Sequence, residues 1–366
     1  MTTDKRGRSA LMAFAEAGQV KAMRVVLAHA VDPAAMMMLK DSGIHGWTAL
    51  MVAGQRGHLE AMRLLLDHPS ADAAAMMMQS SSSGITALML SAANGHVEAM
   101  RLLLNHPSAD AAAMMTHSSS TGHTALMLAA QNGHVDAMRL LLVHPSADAA
   151  AMMMLAQLKG GTALMAAACN GHVDMMRLLL DHPSANAAAM MMHTESSGWT
   201  ALMLAACNGH VDATRLLLDH PAANAAAMLT VRMPAGTSAL TCAAQFAAGP
   251  SATRSCAPLL LLLRRVAKES QPSDDAEQAH MTTVMQVLCT GPQSGALFDN
   301  NQADDARDEC ICLLLLMGAS SIVPEVARPV LSRIIRDLTQ LARVPHLINE
   351  AVVGMAASRK RPRDGA

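Results

Sequence analysis

The chain repeats one unit at a fixed spacing over most of its first 245 residues. The glycines that open successive units are 38 residues apart: Gly46, Gly84, Gly122, Gly160, Gly198 and Gly236. An earlier glycine, Gly7, precedes Gly46 by 39 residues. A fixed period of this length is typical of stacked supersecondary units, none of which buries its apolar face without a neighbour. We therefore expect the chain to fold as a row of similar layers.

Residues 122–145 show what one unit contains. Thr124 stands where a helix N-cap belongs, directly before ALMLAAQN, and the Asn-Gly pair at 132–133 tolerates the positive φ that ends a helix. Apolar residues then recur at helical spacing over 135–142, and Pro145 stops this second helix at or before the preceding histidine. Each unit is predicted to be a helix, a tight turn, a second helix and a long connection.

The composition favours helices throughout the chain. Of the 366 residues, 52 % are apolar but only 1 % are aromatic, and there are 33 methionines and no tyrosine. A core of Leu, Ala and Met consists of strong helix formers, whereas the residues that favour strands are scarce. We expect an all-α protein.

The repeated text resembles an ankyrin repeat. TALM stands at the Thr-led start of the unit, and AA, NGH and RLLL follow it, clearly over residues 7–245 and in degraded form as far as residue 319. The resemblance implies an all-α ankyrin-repeat solenoid that binds other proteins inside the cell as a scaffold or adaptor and has no catalytic activity of its own. Ala and Met replace the Pro and His of the family signature, His-Pro-Ser replaces the glycine after the second helix, and each unit is five residues longer than the family's 33.

The extra length falls in the connection, which reads SADAAAMMM in several units. Asp32 is a good N-cap, and Pro33 suits the first position of a helix. The matching cap sites hold Asp72, Asp110, Asp148, Asn186 and Asn224. Because alanine and methionine follow them, we expect a short additional helix where the family usually has the base of a β-hairpin finger.

The text that varies between units is polar and rich in glycine, as in exposed loops. It occupies residues 39–47, 79–85, 116–123, 155–161 and 193–199. In ankyrin proteins such tips and the first helices form the concave binding face, so the resemblance makes them the candidate partner contacts. The candidate residues are His45, Trp47, Ile85, His117, His123, Lys159, His193, Glu195 and Trp199.

Trp47 and Trp199 are the only tryptophans of the chain. An exposed tryptophan is a frequent hot spot of binding energy, and local packing over a neighbouring turn is the alternative. The two residues lie four repeats apart, so they do not share a pocket.

The C-terminal part of the chain departs from the regular pattern. We expect ankyrin repeats over 1–245, degenerate units with insertions over 246–323, a helical cap over 324–357 and a basic tail over 358–366. A second hypothesis compares the helices of 324–357 with the part of ubiquitin-ligase adaptors that follows their ankyrin repeats, which would make the chain a substrate-recognition subunit. In the tail, Arg359, Lys360, Arg361 and Arg363 resemble a nuclear import signal that an import receptor would bind, with a solvated basic tail as the alternative.

Two rows of histidines recur with the repeat, one containing His58 and His134 and the other containing His68 and His144. Equivalent residues one layer apart are too distant to share a zinc ion, so we expect structural roles, with the second row bonding free carbonyls at helix ends. The methionine triplets could bind Cu(I), but adaptable filling of the core is the favoured interpretation. No metal or other cofactor is expected.

The remaining observations narrow the functional class. No phosphate-binding loop, HExxH or GxSxG motif is present, and polar residues that repeat in every unit are unlike a catalytic site. A net charge of -2 argues against direct nucleic-acid binding, and no apolar run reaches the length of a membrane helix. Seven cysteines without a CxxC pair, and a start without an apolar leader segment, predict an intracellular protein of the nucleus or cytoplasm.

Overall fold

The computed structural model describes residues 8–43, 45–234 and 237–247, together with 258–259, 261–263 and 265. Within these residues the regular elements are helices, so the prediction of an all-α protein is confirmed. The chain divides into two compact units, Met1–Ala201 and Leu202–Ala366. The predicted cap over 324–357 and the basic tail lie outside the described residues.

Each of the first six repeats contributes three helices, and a further helix, α19 (Ala239–Ala247), begins a seventh. The first helices are α1 (Ala10–Glu16), α4 (Ala49–Arg56), α7 (Ala87–Ala93), α10 (Ala125–Asn132), α13 (Ala163–Cys169), α16 (Ala201–Cys207) and α19 (Ala239–Ala247). The second helices are α2 (Val20–Ala28), α5 (Leu59–Leu66), α8 (Val97–Leu104), α11 (Val135–Val143), α14 (Val173–Leu180) and α17 (Val211–Asp219). The third helices are α3 (Pro33–Met38), α6 (Ala73–Met78), α9 (Ala111–Thr116), α12 (Ala149–Met154), α15 (Ala187–Met192) and α18 (Ala225–Thr230).

In the first compact unit these helices form layers. The first helices pack on one another in the order α1, α4, α7, α10 and α13, and the second helices pack on one another in the order α2, α5, α8, α11 and α14. The third helices α3, α6, α9 and α12 each contact the second helix before them and the first helix after them, as α12 does with α11 and α13. The stack of helix-turn-helix layers that the period predicts is therefore present.

The caps that start the helices are those that the sequence predicts. The Oγ1 atoms of Thr48, Thr86, Thr124 and Thr162 each accept the N–H of the residue three positions on. Asp32, Asp72, Asp110, Asp148, Asn186 and Asn224 cap the six third helices in the same way. The additional helix in each connection is thus confirmed, and its local cause is the cap followed by alanine and methionine.

The methionines of the third helices fill the core, as the sequence analysis favoured. Met114 and Met115 are 2 % and 0 % exposed, and Met190 and Met191 are 2 % and 1 % exposed. The third methionine is exposed in two triplets, where Met154 and Met192 are 39 % and 36 % exposed, and it is half-buried in the other two. In the described part of the chain, no three His, Cys, Asp or Glu side chains are grouped to hold a metal ion.

The first histidine row joins consecutive layers. The Nε2 atoms of His58, His96, His134 and His172 donate to main-chain carbonyls of the preceding repeat, at 3.0, 3.0, 3.0 and 3.1 Å. The ring of His134 lies so close to Gly95 (φ 71°) that a Cβ there would be 2.6 Å from His134 Nδ1. The structural role predicted for this row is an inter-repeat hydrogen bond.

For the second histidine row, the predicted bond to free carbonyls is wrong in its direction. The Nδ1 atoms of His68, His106, His144 and His182 instead accept the N–H of the serine two residues later, at 3.1–3.2 Å. The His-Pro-Ser sequence places that serine N–H in a tight turn under the ring, so the imidazole acts as an acceptor. The row is structural, but it fixes the turn and does not close the helix end.

Candidate partner-binding surface

The variable segments form compact loops that the main chain closes. Ser81, Ser119, Gln157 and Glu195 each donate their N–H to the carbonyl of the residue four positions later, at N···O distances of 2.8, 2.9, 2.9 and 3.0 Å. In the first loop, Asp41 donates to the carbonyl of Trp47 at 2.8 Å. We call residues 41–47, 81–85, 119–123, 157–161 and 195–199 the tip loops; they are shorter than the segments marked in the sequence.

Consecutive tip loops are also joined by main-chain hydrogen bonds. The N–H groups of Ser82, Ser120, Leu158 and Ser196 donate to the carbonyls of His45, Ser83, Thr121 and Lys159, at 2.9, 2.9, 3.2 and 2.7 Å. We call this linked series of loops the tip row. These four bonds involve only backbone atoms, so any side chain except proline can make them. In one loop the hydroxyl of Ser120 adds a second bond to the carbonyl of Ser83, at 2.9 Å.

The glycine that recurs with the period is explained by the close approach of consecutive tip loops. Gly122 has φ +84°, and a Cβ on it would lie 2.6 Å from the main-chain nitrogen of Leu158 in the next loop. Gly160 has φ +87°, and its Cβ would lie 3.0 Å from Glu195 Cα. Only glycine meets both requirements without strain, so its recurrence follows from the stacking of the tips.

Two candidate histidines reach back to the preceding loop. His117 Nε2 donates to the carbonyl of Gly84 at 3.1 Å, and His193 Nε2 donates to that of Gly160 at 2.8 Å. Both rings are half-buried. These hydrogen bonds help to join consecutive tip loops. Contact of the two histidines with a partner stays a prediction.

His123 is held by its own loop. Thr121 Oγ1 lies 2.8 Å from His123 Nδ1, and Ser119 Oγ lies 3.0 Å from Thr121 Oγ1. Burial lowers the pKa of His123 from its usual range, because the charged imidazolium is less well solvated there. The neutral ring can therefore accept a hydrogen bond from the hydroxyl of Thr121.

The other candidates differ in exposure. Lys159 and His45 are exposed, whereas Trp47, Ile85, Glu195 and Trp199 are half-buried. The ring of Trp47 packs on that of His45, with a centroid distance of 5.1 Å and an interplanar angle of 31°. Local packing and partial exposure thus coexist at this tryptophan.

Leu158 is a candidate that the sequence analysis missed. It is 78 % exposed, although its main chain is fixed by the bond to Thr121. The equivalent residues of the neighbouring loops are Ser82, Ser120 and Ser196. A leucine at a position otherwise held by serine is the signal that could have identified it.

A groove of about 550 Å³ lies beside the first tip loop. Its lining includes Asp41, His45 and Trp47 from that loop, Arg8 and Glu16 from around α1, and Val52, Gln55 and Arg56 from α4. Glu16 Oε1 accepts from Arg56 at 2.9 Å, and Glu16 Oε2 pairs with Arg8. The hydrogen bond from Arg56, followed by the charges of the two guanidinium groups, lowers the pKa of Glu16 despite partial desolvation.

Within the described residues, no helix is both long and apolar enough to cross a membrane. The predicted import residues, Arg359 to Arg363, lie outside the described part of the chain, and their role stays a prediction.

Comparison with known proteins agrees with the geometry. The model of the family described as "Ankyrin repeats (3 copies)" matches residues 1–76, 73–152, 149–227 and 186–263. Among solved structures, the ankyrin repeat domain of human ASB11 is similar, with a TM-score of 0.54 and 25 % identity over 73 % of this chain and 100 % of that domain. No curated protein matches the chain. Because the family model covers more than half of its length, the chain belongs to the ankyrin repeat family.

Proposed function

We propose that this chain is a scaffold or adaptor that binds partner proteins through its tip row and the adjoining first helices. Ankyrin repeats are generally protein-interaction modules, and the proposal assigns no catalytic step to the chain. The observation that carries it is the construction of the tip row from main-chain hydrogen bonds. The loops are thereby fixed in position while their exposed side chains are free to differ between repeats.

A preorganised loop favours binding because less conformational entropy is lost when a partner orders it. Leu158 and Lys159 combine an apolar and a cationic side chain, both exposed, on a loop that is bonded on both sides. We expect this loop to contribute more binding energy than the serine-rich loops next to it, since burial of apolar surface is worth about 25 cal/mol per Å² and a serine side chain offers much less of it than leucine does.

The proposal is tested by quantitative affinity capture with two matched variants of the full chain. In the tip variant, the exposed tip residues are changed to alanine while the period glycines are kept: Ser82, Ser83, Ser120, Thr121, Leu158, Lys159, Ser196 and Ser197. In the control variant, the same number of exposed residues on the second helices are changed to alanine: Glu60, Arg63, Glu98, Arg101, Asp136, Arg139, Asp174 and Arg177.

Partners that are lost from the tip variant and retained by the control variant would support the proposal. Equal retention by the tip variant and the intact chain, or equal loss from both variants, would contradict it. Deleting 324–357 in a third sample examines the ubiquitin-ligase hypothesis, which requires loss of a ligase complex without loss of the partners that depend on the tips.

A further inference from the structure

We infer that Cys207 and Cys242 form a site of oxidative modification, at which a peroxide converts their two thiols into a disulfide. Cys207 is the last residue of α16, and Cys242 lies in the first half of α19. The bond would therefore join the sixth repeat to the seventh within the second compact unit. The inference goes beyond the proposed function and does not depend on it.

The two thiols are already in contact. The side chains of Cys207 and Cys242 are joined by a hydrogen bond, although the residues are 35 positions apart in the chain. Both are free thiols. Two cysteines can be bridged only where the fold brings their side chains together, and groups that are held in contact react with a high effective concentration. The reduced pair is therefore placed for its sulfurs to bond.

The two thiols differ in their access to solvent. Cys242 is 0 % exposed, whereas Cys207 is half-buried and keeps part of its surface in contact with water. A peroxide in solution therefore reaches Cys207 first. Oxidation of one thiol to a sulfenic acid, which then condenses with a second thiol, is an established route to a protein disulfide. Cys207 has the position of the peroxide-reactive residue, and Cys242 has that of the resolving residue.

The acidity of Cys242 agrees with this order. Its hydrogen bond with Cys207, its burial and the charge of Cys207 all raise the pKa of the Cys242 thiol. Cys242 therefore keeps its proton while the sulfur of Cys207 carries a negative charge. Oxidation of Cys207 to a sulfenic acid removes that charge, and with it one of the causes that keep Cys242 protonated.

The reaction balances with a peroxide as the oxidant. The Cys207 thiolate attacks one peroxide oxygen, so that a sulfur–oxygen bond forms and the oxygen–oxygen bond breaks. The leaving oxygen takes up the proton that the Cys207 thiol gave up. The sulfur of Cys242 then attacks that of Cys207: the sulfur–sulfur bond forms, the sulfur–oxygen bond breaks, and hydroxide leaves as water with the proton of Cys242. The two thiols lose two electrons, which the peroxide accepts.

The preceding repeat contains a matched comparison. Cys169 is the last residue of α13, as Cys207 is of α16, and it is also half-buried. The residue one period before Cys242, however, is Leu204. Because Cys169 has similar access to solvent but no cysteine at the matching position, we expect a peroxide to oxidise it past the sulfenic acid to a sulfinic acid.

The test treats the intact full chain with hydrogen peroxide, blocks the remaining thiols with iodoacetamide and maps the cysteines by mass spectrometry of unreduced tryptic peptides. Trypsin places Cys207 in residues 178–215 and Cys242 in residues 233–254, so a bond between them links two separate peptides. The variants are Cys242→Ala, which removes the resolving thiol, and Cys169→Ala as the control. A second portion of each sample contains dimedone, which traps sulfenic acids, and circular dichroism shows whether each variant is folded.

We expect the linked peptides 178–215 and 233–254 to be the main oxidised form of Cys207 in the intact chain and in Cys169→Ala. In Cys242→Ala, dimedone should trap Cys207, and the yield of Cys207 sulfinic acid should rise about tenfold or more, because no thiol removes the sulfenic acid.

Three results would overturn the inference. They are absence of the linked peptides at a peroxide concentration that oxidises Cys169, a disulfide between Cys207 and a different cysteine as the main product, and an equal yield of Cys207 sulfinic acid with and without Cys242. If Cys242→Ala does not fold, the first two results are still measured on the intact chain.

Discussion

At the scale of single residues, the glycine that opens each repeat meets two requirements at once. Gly160 combines a φ of +87° with a close approach to the next loop, whereas its neighbour Gly161 has no positive φ and only ordinary contacts, at 3.4 Å or more. We therefore expect Gly160→Ala to lower the free energy of unfolding by about 1–3 kcal/mol.

Gly161→Ala is the matched control, and its effect should stay within about 0.5 kcal/mol. Denaturant unfolding of both variants, followed by circular dichroism, measures the difference. Equal midpoints for the two would show that the close stacking of the tips is not what requires glycine.

A second prediction at this scale concerns pH. The lowered pKa of His123 means that the unfolded chain takes up a proton at a higher pH than the folded chain does. This residue therefore destabilises the fold as the pH falls through the usual histidine range near 6.5. Replacement of His123 by Gln keeps a polar side chain that does not titrate. It should flatten the pH dependence of the unfolding midpoint between about pH 7.5 and about pH 5.5, a range that extends about one pH unit either side of 6.5. Parallel curves for the two proteins would refute this.

At the scale of elements, the third helix of each repeat is the clearest success of sequence reasoning. Its signals are local: a capping Asp or Asn, then residues with high helix propensity. Asp110 Oδ1 accepts the N–H of Ala113 at 3.0 Å, and Asn186 Oδ1 accepts that of Ala189 at 3.1 Å. Because neither bond depends on a distant residue, the sequence was sufficient to place these helices.

The chain itself provides the control for a capping experiment. Asp110→Ala should lower the free energy of unfolding by about 0.5–2 kcal/mol, because one helix N–H loses its acceptor. Asp110→Asn should be nearly neutral, since Asn already caps α15 and α18. Thermal or urea unfolding measures the loss of stability in each variant. An equal loss in both would show that the charge of Asp110, and not its cap oxygen, stabilises the helix.

The methionine triplets allow a similar comparison within one helix. Met191 is 1 % exposed and Met192 is 36 % exposed. Met191→Ala should cost about 2–5 kcal/mol through the cavity that it leaves, whereas Met192→Ala should cost less than about 0.5 kcal/mol. Urea unfolding measures both. If the two variants unfold at the same midpoint, the triplet does not fill the core as described.

At the scale of the whole molecule, the period was sufficient to predict a stack of helical layers and to mark the loops that vary. It was not sufficient to predict the tip row. The bond from Leu158 to Thr121 joins backbone atoms of residues 37 positions apart, and backbone atoms leave no signature in the choice of side chains. The groove was missed for a related reason, since Arg8, Glu16 and Arg56 come together only when α1 and α4 pack.

The histidine rows show an intermediate case. Their regular recurrence predicted a structural role, but whether an imidazole donates or accepts depends on the turn around it. His134 donates across the layers, while His144 accepts from Ser146 within its own turn. Such a difference is set by local geometry that residue identity alone does not specify.

One claim is central to the proposed function: the tip loops are held together by their main chain, so that their side chains are free for recognition. The most direct test is amide hydrogen exchange at Ser82, Ser120, Leu158 and Ser196, the donors of the bonds between loops. We predict that these four amides are protected to the same extent in the intact chain and in the variant whose tip side chains are alanine. Exchange at the rate of an unstructured peptide in the intact chain, or loss of protection only in the variant, would contradict the claim.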